Sequence, residues 1–79
     1  MRILFFAQLK DATRCDLIEL PVAAPLDTEQ LWTELFKKFP ALAAHRASVR
    51  LAKNCEYIGP EAQFENDDEV ALIPPVSGG

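Results

Sequence analysis

Glycine is scarce in this chain. There are three, Gly59, Gly78 and Gly79. They are too few and too scattered for a glycine-rich phosphate-binding loop, yet two of them stand together as the last residues. Histidine occurs once, as His45 beside Arg46, where it reads as a solvated histidine near a helix end and not as a general base. Neither Ser77 nor either cysteine has a base arranged beside it in the pattern of a nucleophilic triad. Cysteine itself appears only at Cys15 and Cys55, without the spacing of a metal or dithiol site. Small secreted domains carry more disulfides than that, so both thiols are expected to be reduced and the cytoplasm is the expected compartment.

Long apolar runs are also missing. No stretch suffices to span a bilayer, and "MRILFFAQLKD" meets an acid too early for a signal peptide. Positive charge is in deficit, with 8 Lys and Arg against 12 Asp and Glu and a net charge of -4. The bases are dispersed and none follows Lys53, which argues against nucleic acid or an anionic membrane as partner. A basic face on another protein matches the overall charge better. The acidic run "ENDDE" lacks the alternating ligands and closing glutamate of a calcium loop, so no metal site is expected.

What is present is an ordinary folding composition, 49% hydrophobic and 25% charged over 79 residues, enough for one small domain. "MRILFFAQLK" alternates as a strand, with Ile3, Phe5, Ala7 and Leu9 on one face and Leu4, Phe6 and Gln8 on the other. "DATR" then predicts a turn and "CDLIELP" a second strand, paired with the first as a hairpin. A helix is announced by Asp27 as N-cap with Gln30 three residues on, and by Leu26 and Leu31 at the staple positions. Leu31, Leu35 and Phe39, flanked by Trp32 and Phe36, give it an apolar stripe. Lys37 and Lys38 suit its C-terminal end, and Pro40 stops it. "ALAAHRA" predicts a further short turn of helix. "SVRLAKN", "CEYIG" and "EVALIP" complete the strands, with a polar loop pinned by Phe64 between the last two.

Strand, strand, helix, strand, short strand, strand is an α+β order. It predicts a β-grasp roll, the ubiquitin-like architecture: a mixed sheet of four to five strands with one main helix on one face. The last strand lies beside the first after the crossover. The domain is placed at 1–73 and an extended, flexible arm at 74–79. A single helix covers one sheet face, so Leu4, Phe6, Tyr57 and Ile73 are expected on the bare face as a partner-binding patch. Pro74 and Pro75 end the last strand. The arm beyond reaches at most about 20 Å, and Gly78 and Gly79 make its end thin enough for a narrow channel.

With "ILFFAQLKD", "LWTELFKKFPAL" and above all "DDEVALIPPVSGG", the chain resembles, over its whole length, the small subunits of molybdopterin synthase. The resemblance implies that Gly79 is the reacting residue. A ubiquitin-activating-type adenylyltransferase would adenylate it with ATP, and a sulfur-donor protein would convert it to a thiocarboxylate. Pro74, Pro75, Val76, Ser77 and Gly78 would then give it access to an active site in the large synthase subunit. There its sulfur would go to cyclic pyranopterin monophosphate to build the dithiolene. By the same resemblance no cofactor is bound, the acid–base groups belong to the large subunit, and two small and two large subunits assemble. The family often has glycine where this chain has Asp67, which implies a left-handed turn adopted here at some cost. Three rival readings are a sulfur carrier for thiazole or cysteine synthesis, a ubiquitin-like protein modifier, and a plain binding module.

Overall fold

The computed structural model describes residues 1–59 and 61–74. Seven strands and two helices follow in the order β1 (Arg2–Phe5), α1 (Gln8–Thr13), β2 (Leu17–Glu19), β3 (Leu26–Asp27), α2 (Thr28–Lys38), β4 (Arg50–Lys53), β5 (Glu56–Tyr57), β6 (Gln63–Phe64) and β7 (Glu69–Ile73). Two short 3-10 turns, Pro40–Ala44 and Arg46–Ser48, connect α2 to β4. Five strands form the main sheet in the order β2-β1-β7-β4-β5. β1 and β7 run parallel, and the other neighbours are antiparallel. This is the β-grasp roll expected from the element order.

The helix forms where its caps predict. Asp27 Oδ1 accepts the Gln30 N–H at 2.8 Å, and Gln30 Oε1 accepts the Asp27 N–H at 2.9 Å, closing the capping box. Leu31, Trp32 and Leu35 are buried against the sheet, where they meet Ile3, Phe5, Val70 and Leu72. Each such side chain taken fully out of water contributes about 1.5–3 kcal/mol. Phe39 closes the end of the stripe with its ring edge-on to Phe5, centroids 5.6 Å apart. Phe64 is fully buried, as the pinned loop required.

Three expectations need correction. The first strand stops at Phe5 and not Lys10, because Gln8–Thr13 is helical. Ala7 turns the chain at φ 51°, and Leu9 and Thr13, four apart, are buried on one side of the short helix. Thr13 Oγ1 donates to the Leu9 carbonyl at 2.9 Å, and the left-handed Arg14 ends the helix. β1 and β2 therefore pair antiparallel as expected, but through α1 instead of a tight turn. The loop around Phe64 contains a strand, β6, which pairs with β3 as a second, two-stranded sheet. Finally, Asp67 is not left-handed. Among the described residues, positive φ outside glycine occurs at Ala7, Arg14, Asn54 and Cys55, so the expected cost of replacing glycine at 67 does not arise.

Candidate docking face

β-strand alternation sends one set of side chains under α2 and leaves the other set on the opposite face. The register then composes that outer face. Leu17 pairs with Leu4, Leu4 with Ala71, Ala71 with Ala52, and Ala52 with Tyr57. One lateral row of apolar side chains thus crosses all five strands. Its two central members are alanines, and large residues stand on either side, so the face is hollow in the middle. A cavity of about 290 Å³ lies there. Ala52 and Ala71 line it together with all four residues expected on the bare face: Leu4, Phe6, Tyr57 and Ile73. Phe6 and Tyr57 are the two large exposed hydrophobic side chains, 45% and 64% accessible, among the described residues.

Phe6 sits just past the end of β1, and its carbonyl accepts the Leu9 N–H at 3.0 Å, so α1 holds the residue in place. Tyr57 is on the edge strand β5, which exists because Asn54 and Cys55 make a two-residue turn with φ 51° and 73°. Both residues left-handed is the geometry of the tight hairpin turn whose twist suits the flanking strands. Asn54 tolerates it well; Cys55 is the position where such turns favour glycine. Cys55 is exposed and lines the same cavity, while Cys15 is half-buried and donates weakly to the Thr13 carbonyl.

Charge frames the hollow at two ends. At one end Arg2 lies between Glu19 at 3.9 Å and Glu69 at 3.5 Å, a row of exposed pairs that contributes little to stability. At the other, Arg50 pairs in register with Ile73 and places its guanidinium over the Tyr57 ring, 5.1 Å from the centroid. Between them, the turn that precedes β7 is fastened by Asp68. Its carboxylate accepts the Glu65 N–H at 2.7 Å and the Asn54 amide at 3.0 Å. These bonds, with Lys53 nearby, hold the Asp68 carboxyl below its ordinary pKa, the Glu65 N–H acting most strongly and desolvation opposing it.

Sequence reasoning missed Ala52, Cys55, Glu69 and Arg50 as members of the face. Ala71 shares the Ile73 side of its strand by alternation, but small residues give no hydrophobic signal although they make the hollow. Pro74 is half-buried at the end of β7. The expected reacting and access residues Pro75, Val76, Ser77, Gly78 and Gly79 lie outside the described residues. Among the described residues no group of His, Cys, Asp and Glu is placed to hold a metal, and no helix is long and apolar enough to cross a membrane.

Residues 3–79 match the model of the ThiS family. Curated relatives similar over the whole chain include two molybdopterin synthase sulfur carrier subunits. The Arabidopsis thaliana protein is 37% identical over 79 residues, spanning 100% of this chain and 82% of that one. The Caenorhabditis briggsae protein is 35% identical, spanning 100% and 96%. Among solved structures, SAMP1 of Haloferax volcanii superposes with a TM-score of 0.84 at 25% identity, covering 100% of this chain and 98% of that one.

Proposed function

The chain belongs to the ThiS family, alongside the sulfur carrier subunits of molybdopterin synthase, and on that footing we propose that it carries sulfur on Gly79 to the large subunit of that synthase. The observation that carries the reading is the full-length similarity to named sulfur carrier subunits in a chain whose sequence ends Pro74-Pro75-Val76-Ser77-Gly78-Gly79.

A free carboxylate is a poor acyl donor. In the proposed cycle a ubiquitin-activating-type enzyme joins the Gly79 carboxylate to the α-phosphorus of ATP and releases pyrophosphate. A persulfide sulfur on a donor protein attacks the acyl carbon and expels AMP, giving an acyl disulfide. A second thiol then takes the outer sulfur, leaving the Gly79 thiocarboxylate and a disulfide between the two thiols. The arm, 74–79, presents that sulfur to cyclic pyranopterin monophosphate in the large subunit, and hydrolysis of the acyl bond returns the carboxylate. Two such transfers make the dithiolene. ATP is a substrate of the activating partner, and proton transfer at the pterin falls to the large subunit. The patch of Leu4, Phe6, Tyr57 and Ile73 docks the partners, two copies assemble with two large subunits, and the cycle runs in the cytoplasm.

The test is intact-protein mass spectrometry after incubation with ATP, the activating enzyme and a sulfur donor. Exchange of one oxygen for sulfur at Gly79 supports the proposal. An unchanged mass, or sulfur found on Cys15 or Cys55, overturns it. One added residue after Gly79 should abolish transfer and leave folding intact.

A second reading, attachment of Gly79 to protein lysines, is favoured by the likeness to SAMP1, a small archaeal modifier protein. Lysine-linked adducts in cells expressing the chain, lost on removal of Gly79, would support it.

A further inference from the structure

The overall charge of -4 suits a basic partner, but the charges on the docking face are arranged differently. Of the charged residues on the strands of that face, Glu19, Arg2 and Glu69 are already tied to one another. Arg50 is exposed, and among the described residues no carboxylate lies within 4.0 Å of it. Two acids, Asp27 and Glu29, line with Arg50 a larger cavity of about 520 Å³. Asp27 is engaged as the cap of α2, however, and Glu29 holds Arg46. The unmatched charge on the face is therefore a cation.

Its geometry is also pre-set. The guanidinium carbon lies over the Tyr57 ring, 5.1 Å from its centroid, which restricts the side chain. A fixed planar fork of donors matches a carboxylate in a way a lysine ammonium does not. Arg50 stands across from Ile73, the last residue of β7; Tyr57 lines both the apolar hollow and the larger cavity, and Arg50 lines the larger one. A partner that fills the hollow and reaches across the Tyr57 ring meets Arg50 on that ring. Resting on the docking reading above, we propose that Arg50, seated on Tyr57, recognises a carboxylate side chain on the protein that docks on this face. The docking surface of that partner would thus combine a bulky apolar group for the hollow with an acid beside it, whatever its net charge.

The experiment is calorimetric titration of wild type, Arg50→Gln, Arg50→Glu and Phe6→Ala with the large subunit of molybdopterin synthase from the same organism. Thermal melts of each variant confirm folding; Arg50 is exposed, so they should coincide. Arg50→Gln should weaken binding about fivefold, the effect of one rim ion pair. Arg50→Glu adds an equal repulsion and should weaken it about 25-fold. Raising salt from about 0.05 to about 0.5 M should narrow both gaps, because screening acts on the pair. Equal affinities for wild type and both Arg50 variants, with Phe6→Ala still weakened, overturn the role of Arg50 and leave the docking reading standing. Tighter binding by Arg50→Glu overturns it in favour of a basic partner. Failure of the wild type to bind overturns both.

Discussion

Asn54 grips Glu69 by both backbone groups. The Asn54 N–H donates to the Glu69 carbonyl at 2.8 Å, and the Asn54 side-chain oxygen accepts the Glu69 N–H at 3.0 Å. The turn that carries Tyr57 is thereby fastened to the start of the central strand, tying the wall of the hollow to its floor.

Asn54→Ala should destabilise the fold by about 2 kcal/mol, since it removes side-chain bonds at both Glu69 and Asp68 and leaves a left-handed alanine. Asn54→Gly restores the backbone freedom and should lose less. Urea unfolding of the two variants separates the terms; equal losses would show that the left-handed backbone costs alanine nothing and that the side-chain bonds carry the whole effect.

Cys55→Gly should act in the opposite direction. At φ 73° a side chain costs stability that glycine does not. A gain of about 1 kcal/mol is expected, read as a higher urea midpoint with unchanged slope. A loss would mean that Cys55 packs more than its exposure suggests.

The depressed Asp68 pKa gives a direction for acid stability. A carboxyl whose folded pKa lies below its unfolded one, about 3.9, contributes stability that is present above the unfolded value. That contribution is lost as the pH falls through the folded pKa. Stability should therefore drop more steeply below about pH 4 in wild type than in Asp68→Asn. Parallel curves would remove Asp68 from the account.

Two phenylalanines should separate folding from docking. Phe64→Ala empties a fully buried site and should cost about 3–5 kcal/mol, a large share of what a domain this size holds. Phe6→Ala, on the surface, should change stability by under about 0.5 kcal/mol. It should nevertheless weaken binding to the large subunit by about 2 kcal/mol, as an interface anchor does.

Ala71→Leu tests the hollow itself. It adds apolar surface to the floor of the cavity, so a merely sticky face would bind better. A face that receives a side chain should bind about tenfold worse, an overpacking penalty of about 1–3 kcal/mol, measured by the same titration.

Much of this was legible in the sequence because it rests on short-range chemistry. Asp27 and Gln30 are three residues apart and cap the helix without help from the rest of the fold. Leu4, Phe6 and Ile73 were assigned to the outer face by strand alternation alone. The first strand was overextended for a physical reason: Phe5 and Leu9 are four apart, a spacing that fits a strand face and a helix face equally. β3 and β6 form a bridge of two residues each, Leu26 to Phe64 and Asp27 to Gln63. A pairing so short leaves no pattern in either segment. Arg50 and Tyr57 meet only through the register of two strands, which no local signal encodes. The family pattern implies a left-handed residue at Asp67, whereas the left-handed residues lie in the neighbouring turn at Asn54 and Cys55.

The position of β7 also bears on how the molecule withstands force. On the proposed function, Gly79 is drawn into one enzyme, released, and drawn into another, and any tension is transmitted along β7. That strand lies between β1 and β4, bonded to both. A pull toward Ile73 therefore loads two ladders in shear, with their hydrogen bonds resisting together. An edge strand such as β2 or β5 would instead peel open one bond at a time. A load along β7 is thus shared by two neighbours, where a load along β2 or β5 would fall on one.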